Sequence, residues 1–152
     1  MIQPSAYRDF FKNMVDNSLA NFGAAHQIKS FYYGNSERIL SSLPSEISYP
    51  TLWLEYADFK MVEQGDHITQ ETIGAFFILK NVVVDDYEAQ DQVLEDMFLL
   101  FQKILKYLRE TYTIIWAGDT FSSETVSSQL ADNCYGYRIT FTVKYQEVTF
   151  LA

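Results

Sequence analysis

The sequence predicts an α+β domain: an N-terminal helix, a β-hairpin, a long helix and a second β-hairpin, the helices packed on a mostly antiparallel or mixed sheet. Three observations carry this. Apolar residues recur at spacings of three and four between Pro4 and Phe22, and again between Tyr87 and Glu110, which is the period of a helix. Apolar and polar residues alternate from Cys134 onward, which is the period of a strand. The polar stretch Gln64-Gly65-Asp66-His67 separates two long β-prone runs, as a hairpin turn does. A chain of 152 residues suits one domain, spanning 1–152, and buries a core without disulfide or metal staples.

The first helix places Tyr7, Phe10, Phe11, Met14, Val15, Leu19 and Phe22 on one face. Pro4 fits an early helical position, where a missing N–H costs nothing, and Gly23 supplies a stop. Ile28–Tyr33 reads as a brief strand ended by Gly34. Asn35 then caps a short helix over Ser36–Leu43. Pro50 holds Tyr49 extended and leads into the first hairpin, with strands over Leu52–Glu63 and Thr69–Val84. The second of these is apolar on both faces near its middle, with Phe76 and Ile78 on one side and Phe77 and Leu79 on the other. Such a strand is covered twice, by a helix on one face and by a further layer or a neighbouring subunit on the other.

Asp85 is placed to cap the long helix, with Glu88 three residues on as in a capping box. Val93, Met97, Leu100, Ile104 and Tyr107 form one stripe along it. Leu94, Phe98, Phe101, Leu105 and Leu108 form a second stripe beside the first, so the helix is expected to be deeply buried. The Ser/Thr-rich run Thr120–Gln129 is a weakly marked strand, and Asp132-Asn133 is a turn signal. In the last strand, Cys134–Thr149, Tyr135, Tyr137, Ile139, Phe141, Val143 and Tyr145 share one face, which is packed while the other is wet.

Charge and composition narrow the function. The net charge is −9, from 20 acidic and 11 basic residues, and there is no basic run to displace counterions from nucleic acid or an anionic membrane. The single cysteine, Cys134, makes no intramolecular disulfide. The N-terminal MIQPSAYRDFF lacks the basic-then-apolar pattern of a secretory signal, and no stretch is apolar enough to span a membrane. The expected location is cytoplasmic, in a reducing compartment. Aromatic residues make up 16% of the chain, which fits an aromatic core, or rings on a surface that a partner covers.

No residue pattern points to catalysis. The acidic cluster Asp85, Asp86, Glu88, Asp91, Glu95 and Asp96 has no EF-hand spacing, and it suits a helix N-terminus through the dipole. His26 and His67 lie far apart in sequence, and no nucleophile elbow is present. Cys134 has no basic neighbour to lower its pKa, so it is a buried filler or an inert surface thiol. Glu55 and Asp58 are expected on opposite faces of one strand, so they do not form an acid–base pair. The six glycines form no phosphate cradle. No cofactor and no metal are expected.

The order of elements, with Tyr49-Pro50-Thr51-Leu52-Trp53-Leu54-Glu55 entering the first hairpin and Gly136-Tyr137-Arg138-Ile139-Thr140-Phe141 in the last strand, resembles small phage and prophage tail proteins of the tail terminator or neck (tail-completion) group. That resemblance implies a non-enzymatic subunit that assembles into a ring, often of six, at the head-proximal end of a tail tube, meeting other tail or head–neck proteins as a virion component. An acidic inner surface would let DNA pass without sticking. The resemblance carries no signature residue, so no site follows from it. The expected function is therefore a self-associating structural subunit and homo-oligomer, with Trp53, Phe76, Phe77 and Trp116 near an interface. The alternatives are a monomeric module that holds a small apolar ligand among its aromatics, and, behind it, an enzyme built on His26, His67 or Cys134.

Overall fold

The computed structural model describes residues 3–35, 47–83, 85–111, 115–128 and 133–146. The expected short helix over Ser36–Leu43, Asp132 of the expected turn and the end of the last strand beyond Gln146 lie outside them. Helix α1 covers Pro4–Asp16 and α2 covers Ser18–Phe22, followed by a 3-10 turn at Ala24–His26. Strands β1 (Ser30–Tyr33), β2 (Thr51–Leu54), β3 (Asp58–Gln64) and β4 (His67–Asn81) precede helix α3 (Tyr87–Thr111). Strands β5 (Ile115–Ser128) and β6 (Cys134–Gln146) follow it. The result is an α+β fold whose helices pack on an open, mixed sheet.

The sheet runs β1-β2-β4-β6-β5, with β3 also paired to β4. Among the described strands the β1–β2 pair is parallel and the other pairs are antiparallel. Strand β4 is the spine. Its Phe76–Leu79 segment pairs with β2, its His67–Ile73 segment with β3, and its other edge with β6 from Thr69 to Asn81. The hairpin turn is tighter than the four-residue stretch expected, being Gly65-Asp66, with Gly65 at φ 61. Left-handed backbone there favours glycine.

One expected strand is two. Residues 55–57 interrupt Leu52–Glu63, so β2 and β3 are separate elements. The break also shifts the side-chain alternation by one residue. Phe59 packs inward against Tyr7, and Asp58 therefore turns outward, to the same face as Glu55. The expectation that these two acids occupy opposite faces is corrected on that ground.

The expected single N-terminal helix also divides, at Asn17, whose side-chain amide donates to the Asn13 carbonyl at 2.8 Å. The division rotates the second piece. Ser18 becomes buried, its hydroxyl accepting from the Ile28 N–H at 2.9 Å, and Leu19 turns out to solvent, 52% exposed, instead of joining the apolar face.

The core lies between the helices and the inner face of the sheet. Tyr7, Phe11, Met14 and Val15 of α1 and Val93, Met97, Leu100, Phe101, Ile104 and Leu108 of α3 meet Leu52, Leu54, Phe76, Ile78, Ile139, Phe141 and Val143. Phe11 joins helix α1 to the sheet, with ring centroids 5.6 Å from Phe76 and 5.7 Å from Phe141. The second stripe of α3 is less buried than its composition implied. Phe101 and Leu108 are enclosed, Leu94 and Leu105 half-buried, and Phe98 and its neighbour Leu99 exposed. Helix α3 packs on one face of the sheet, and among the described residues its Phe98 and Leu99 stay exposed.

The α3 cap is Asp86, not Asp85. Asp86 accepts the Ala89 N–H on Oδ1 at 3.1 Å and the Gln90 N–H on its carbonyl at 3.0 Å. Asp85 instead takes the left-handed turn before it, at φ 65. No helix among the described residues is long and apolar enough to cross a membrane.

Candidate functional site

The outer face of the sheet, away from the helices, holds the residues with the most to say about function. Strand alternation and register place Tyr32, Trp53, Phe77, Arg138 and Glu124 in one row across β1, β2, β4, β6 and β5. Tyr32 meets Trp53 edge-on with centroids 6.4 Å apart, and Trp53 meets Phe77 in the same way at 6.2 Å. The Arg138 guanidinium lies 5.8 Å from the Phe77 centroid. It donates to Glu55 through Nε (3.3 Å) and Nη2 (2.8 Å), and its Nη1 stands 3.5 Å from a Glu124 carboxylate oxygen. The Glu55 hydrogen bonds raise the arginine pKa above its ordinary value, more than burial lowers it.

Beside this row is a small second core of Ile47, Trp53, Leu79 and Cys134, with Tyr32, Tyr49, Phe77 and Val126 packed against it. Leu79 is 1% exposed and Trp53 8%. The chain's own Ile47–Tyr49 segment thus covers much of the face that was expected to need a further layer or another subunit. Among the described residues the buried Trp53 indole N–H has no acceptor, and the buried Thr72 hydroxyl on the inner face has no hydrogen-bond partner. Cys134 is buried, its thiol donating to the Tyr49 hydroxyl at 3.1 Å. Further along the outer face the cover ends. Ile73 is exposed, and Lys144 pairs with Glu71 at 3.4 Å.

The four residues expected near an interface separate. Phe77 is half-buried on the outer face, and Trp53 lies beside it, mostly covered by this chain. Phe76 points the other way and is fully enclosed in the main core. Trp116 pairs with Val143 in the β5–β6 ladder.

The residues weighed for chemistry do not converge. His67 starts β4 and Cys134 pairs with Asn81 at the strand's far end, so the length of β4 separates them. His26 sits in the 3-10 turn on the helical side, where burial and then Lys103 lower its pKa. Of the acidic cluster, Asp86 caps α3 and Asp96 accepts from Gln92 at 3.0 Å and faces Lys80 at 3.9 Å. Among the described residues no three His, Cys, Asp or Glu side chains are placed to hold a metal. Two shallow grooves of about 440 Å³ are lined with charged groups: one by Lys103, Lys106, Glu110 and Tyr107, the other by Lys12, Asp16 and Lys29 among others. Lys103 is already engaged, donating to the Phe22 carbonyl at 2.9 Å.

Sequence reasoning missed the Arg138–Glu55–Glu124 group. Arg138 alternates with the aromatic residues of β6 and so signalled an outward charge, but its partners come from residues 83 and 14 positions away. No family model and no curated protein sequence matches this chain.

Proposed function

We propose that the protein is a non-enzymatic structural subunit that associates with copies of itself, in the manner of a phage or prophage tail terminator or neck protein. The observation that carries the self-association is the open sheet. Its strands do not close into a barrel, the helices cover one face, and the outer face carries an aromatic row whose Arg138 is paired with Glu55 and Glu124. Tyr32, Trp53 and Phe77 give that row ring surface of the kind interfaces favour, and its arginine is already paired within the chain. The tail assignment rests on the order of helix, hairpin, long helix and hairpin. The net charge of −9 suits a subunit that DNA passes without adhering.

The rival, a monomeric module for a small apolar ligand, is less well supported. Apolar ligand sites are enclosed and lined mostly by aromatic and aliphatic side chains. The described grooves are open to solvent, and lysines and acids line them beside Phe22, Tyr107, Ile28 and Phe31. Light scattering behind size exclusion tests the self-association: species larger than one chain are expected. A second assay tests the tail role. Added to polymerising tail tubes from a host phage of the same genome, the protein is expected to stop tube growth at fixed length. Tubes that grow unchanged would remove the tail assignment while leaving the oligomer.

A further inference from the structure

We propose that strand β5 is the docking edge, and that its occupant is the β5 of a second copy, paired antiparallel about a two-fold axis near Thr125. This rests on the self-association reading above and adds to the outer face named there an edge at which two copies join. Strand β5 is hydrogen-bonded to β6 along one side, and among the described residues no strand lies along the other. Ser122, Ser123, Glu124, Thr125 and Ser127 are exposed, and Val126 is half-buried. An edge of this kind offers a row of outward N–H and C=O groups, which another extended main chain satisfies best.

What singles out β5 is the lack of protection. Natural sheet edges are guarded by lysine, proline, charge or shortness. Strand β3, on the opposite side of the sheet, carries Asp58, Lys60 and Glu63 among its 7 residues. Strand β1 has only 4 residues. From Ser122 to Ser127, β5 has no proline and no lysine, and its one charge, Glu124, is drawn back over the sheet toward Arg138 at 3.5 Å. The register irregularity between Trp116 and Phe121 lies before this segment, and the ladder from Phe121 to Ser128 is unbroken. The small side chains there leave room for a neighbouring strand.

The geometry favours a second copy. A two-fold axis normal to the sheet makes the strands antiparallel and keeps both helical layers on one side of a joined sheet. With the axis near Thr125, Glu124 stands opposite Val126 of the second copy, not opposite its own equivalent, and each Glu124 keeps its own Arg138. An isologous contact of this kind builds assemblies with an even number of chains.

Hydrogen exchange read by mass spectrometry on the unmodified protein, dilute and concentrated, tests this. Concentration is expected to slow exchange within Ser122–Ser127 by about tenfold or more and to leave β3 unchanged. The double variant Thr125→Lys/Ser127→Lys should need at least about tenfold more protein to associate, because like charges then face each other across the axis. Its far-UV circular dichroism should stay as in the parent, and Met61→Lys on β3 should not shift association. Slowing confined to another segment, or a folded double variant that associates like the parent, overturns the β5 assignment while self-association stands. A chain that never associates overturns both.

Discussion

Replacing Gly136 by alanine tests the sheet register, on which the placement of the aromatic row depends. Gly136 sits in β6 opposite Leu79 of β4 and Val126 of β5. A Cβ there would fall on the Ile78 carbonyl oxygen and lie 3.1 Å from the Leu79 Cα, both atoms of the neighbouring strand's main chain. Main chain held in a central ladder cannot swing aside as a side chain does, so β4 and β6 must separate locally. Overpacking costs about 1–3 kcal/mol and each weakened ladder bond about 1 kcal/mol, so the expected loss is about 3 kcal/mol. For a chain of this size that lowers the thermal midpoint by about 10 °C. Gly74→Ala is the comparison. Its Cβ would meet the Phe141 ring at 2.6 Å and the Tyr7 hydroxyl, both side chains, so a smaller loss is expected. Thermal unfolding followed by circular dichroism reads both. A Gly136→Ala midpoint within about 2 °C of the parent, less than 1 kcal/mol in these terms, would refute the Leu79–Gly136 pairing.

Three further outcomes follow from named contacts. Asp86→Ala should cost about 1 kcal/mol through loss of the α3 cap, whereas Asp85→Gly should be neutral or stabilising, since Asp85 holds φ 65; denaturant titration separates the two. Arg138→Met should destabilise by about 2 kcal/mol and Glu55→Gln by about 1 kcal/mol, because the first leaves two carboxylates facing each other and the second leaves Arg138 with Glu124; equal losses would argue against the shared arginine. Burial and Lys103 lower the His26 pKa below 6.5, so the unfolded chain binds the proton more readily. Stability should therefore fall as pH drops through that value toward the folded pKa, and His26→Gln should reduce the slope of a melting-temperature series between about pH 8 and about pH 5.

The periodic elements were legible in the sequence. Alternation along β6 and the spacing of Val93, Met97, Leu100 and Ile104 in α3 each report a buried side, and Ile139, Phe141, Val143 and the four α3 residues lie in the core; the opposite face of β6, expected wet, is buried at Cys134 and Gly136 and half-buried from Arg138 to Lys144. The interruptions were not legible. The breaks at Asn17 and at residues 55–57 are made by contacts with distant partners, Ile28 for Ser18 and Ala75 for the Glu55 main chain, and a local window contains neither. The double apolar character of β4 was read correctly as two covered faces. What covers the outer one, Ile47 and Tyr49, depends on how the chain returns over the sheet, which residue spacing does not encode. The Arg138 group was hidden for the same reason. Strand β5 was faint because its Ser/Thr run lacks apolar alternation, and that plainness is what leaves its edge unguarded.

Sedimentation velocity of the unmodified protein over a wide concentration range tests most directly whether this chain works by joining copies of itself. The account predicts a mass that climbs with concentration to an even multiple of 17.7 kDa. A single species of 17.7 kDa at every concentration would contradict it.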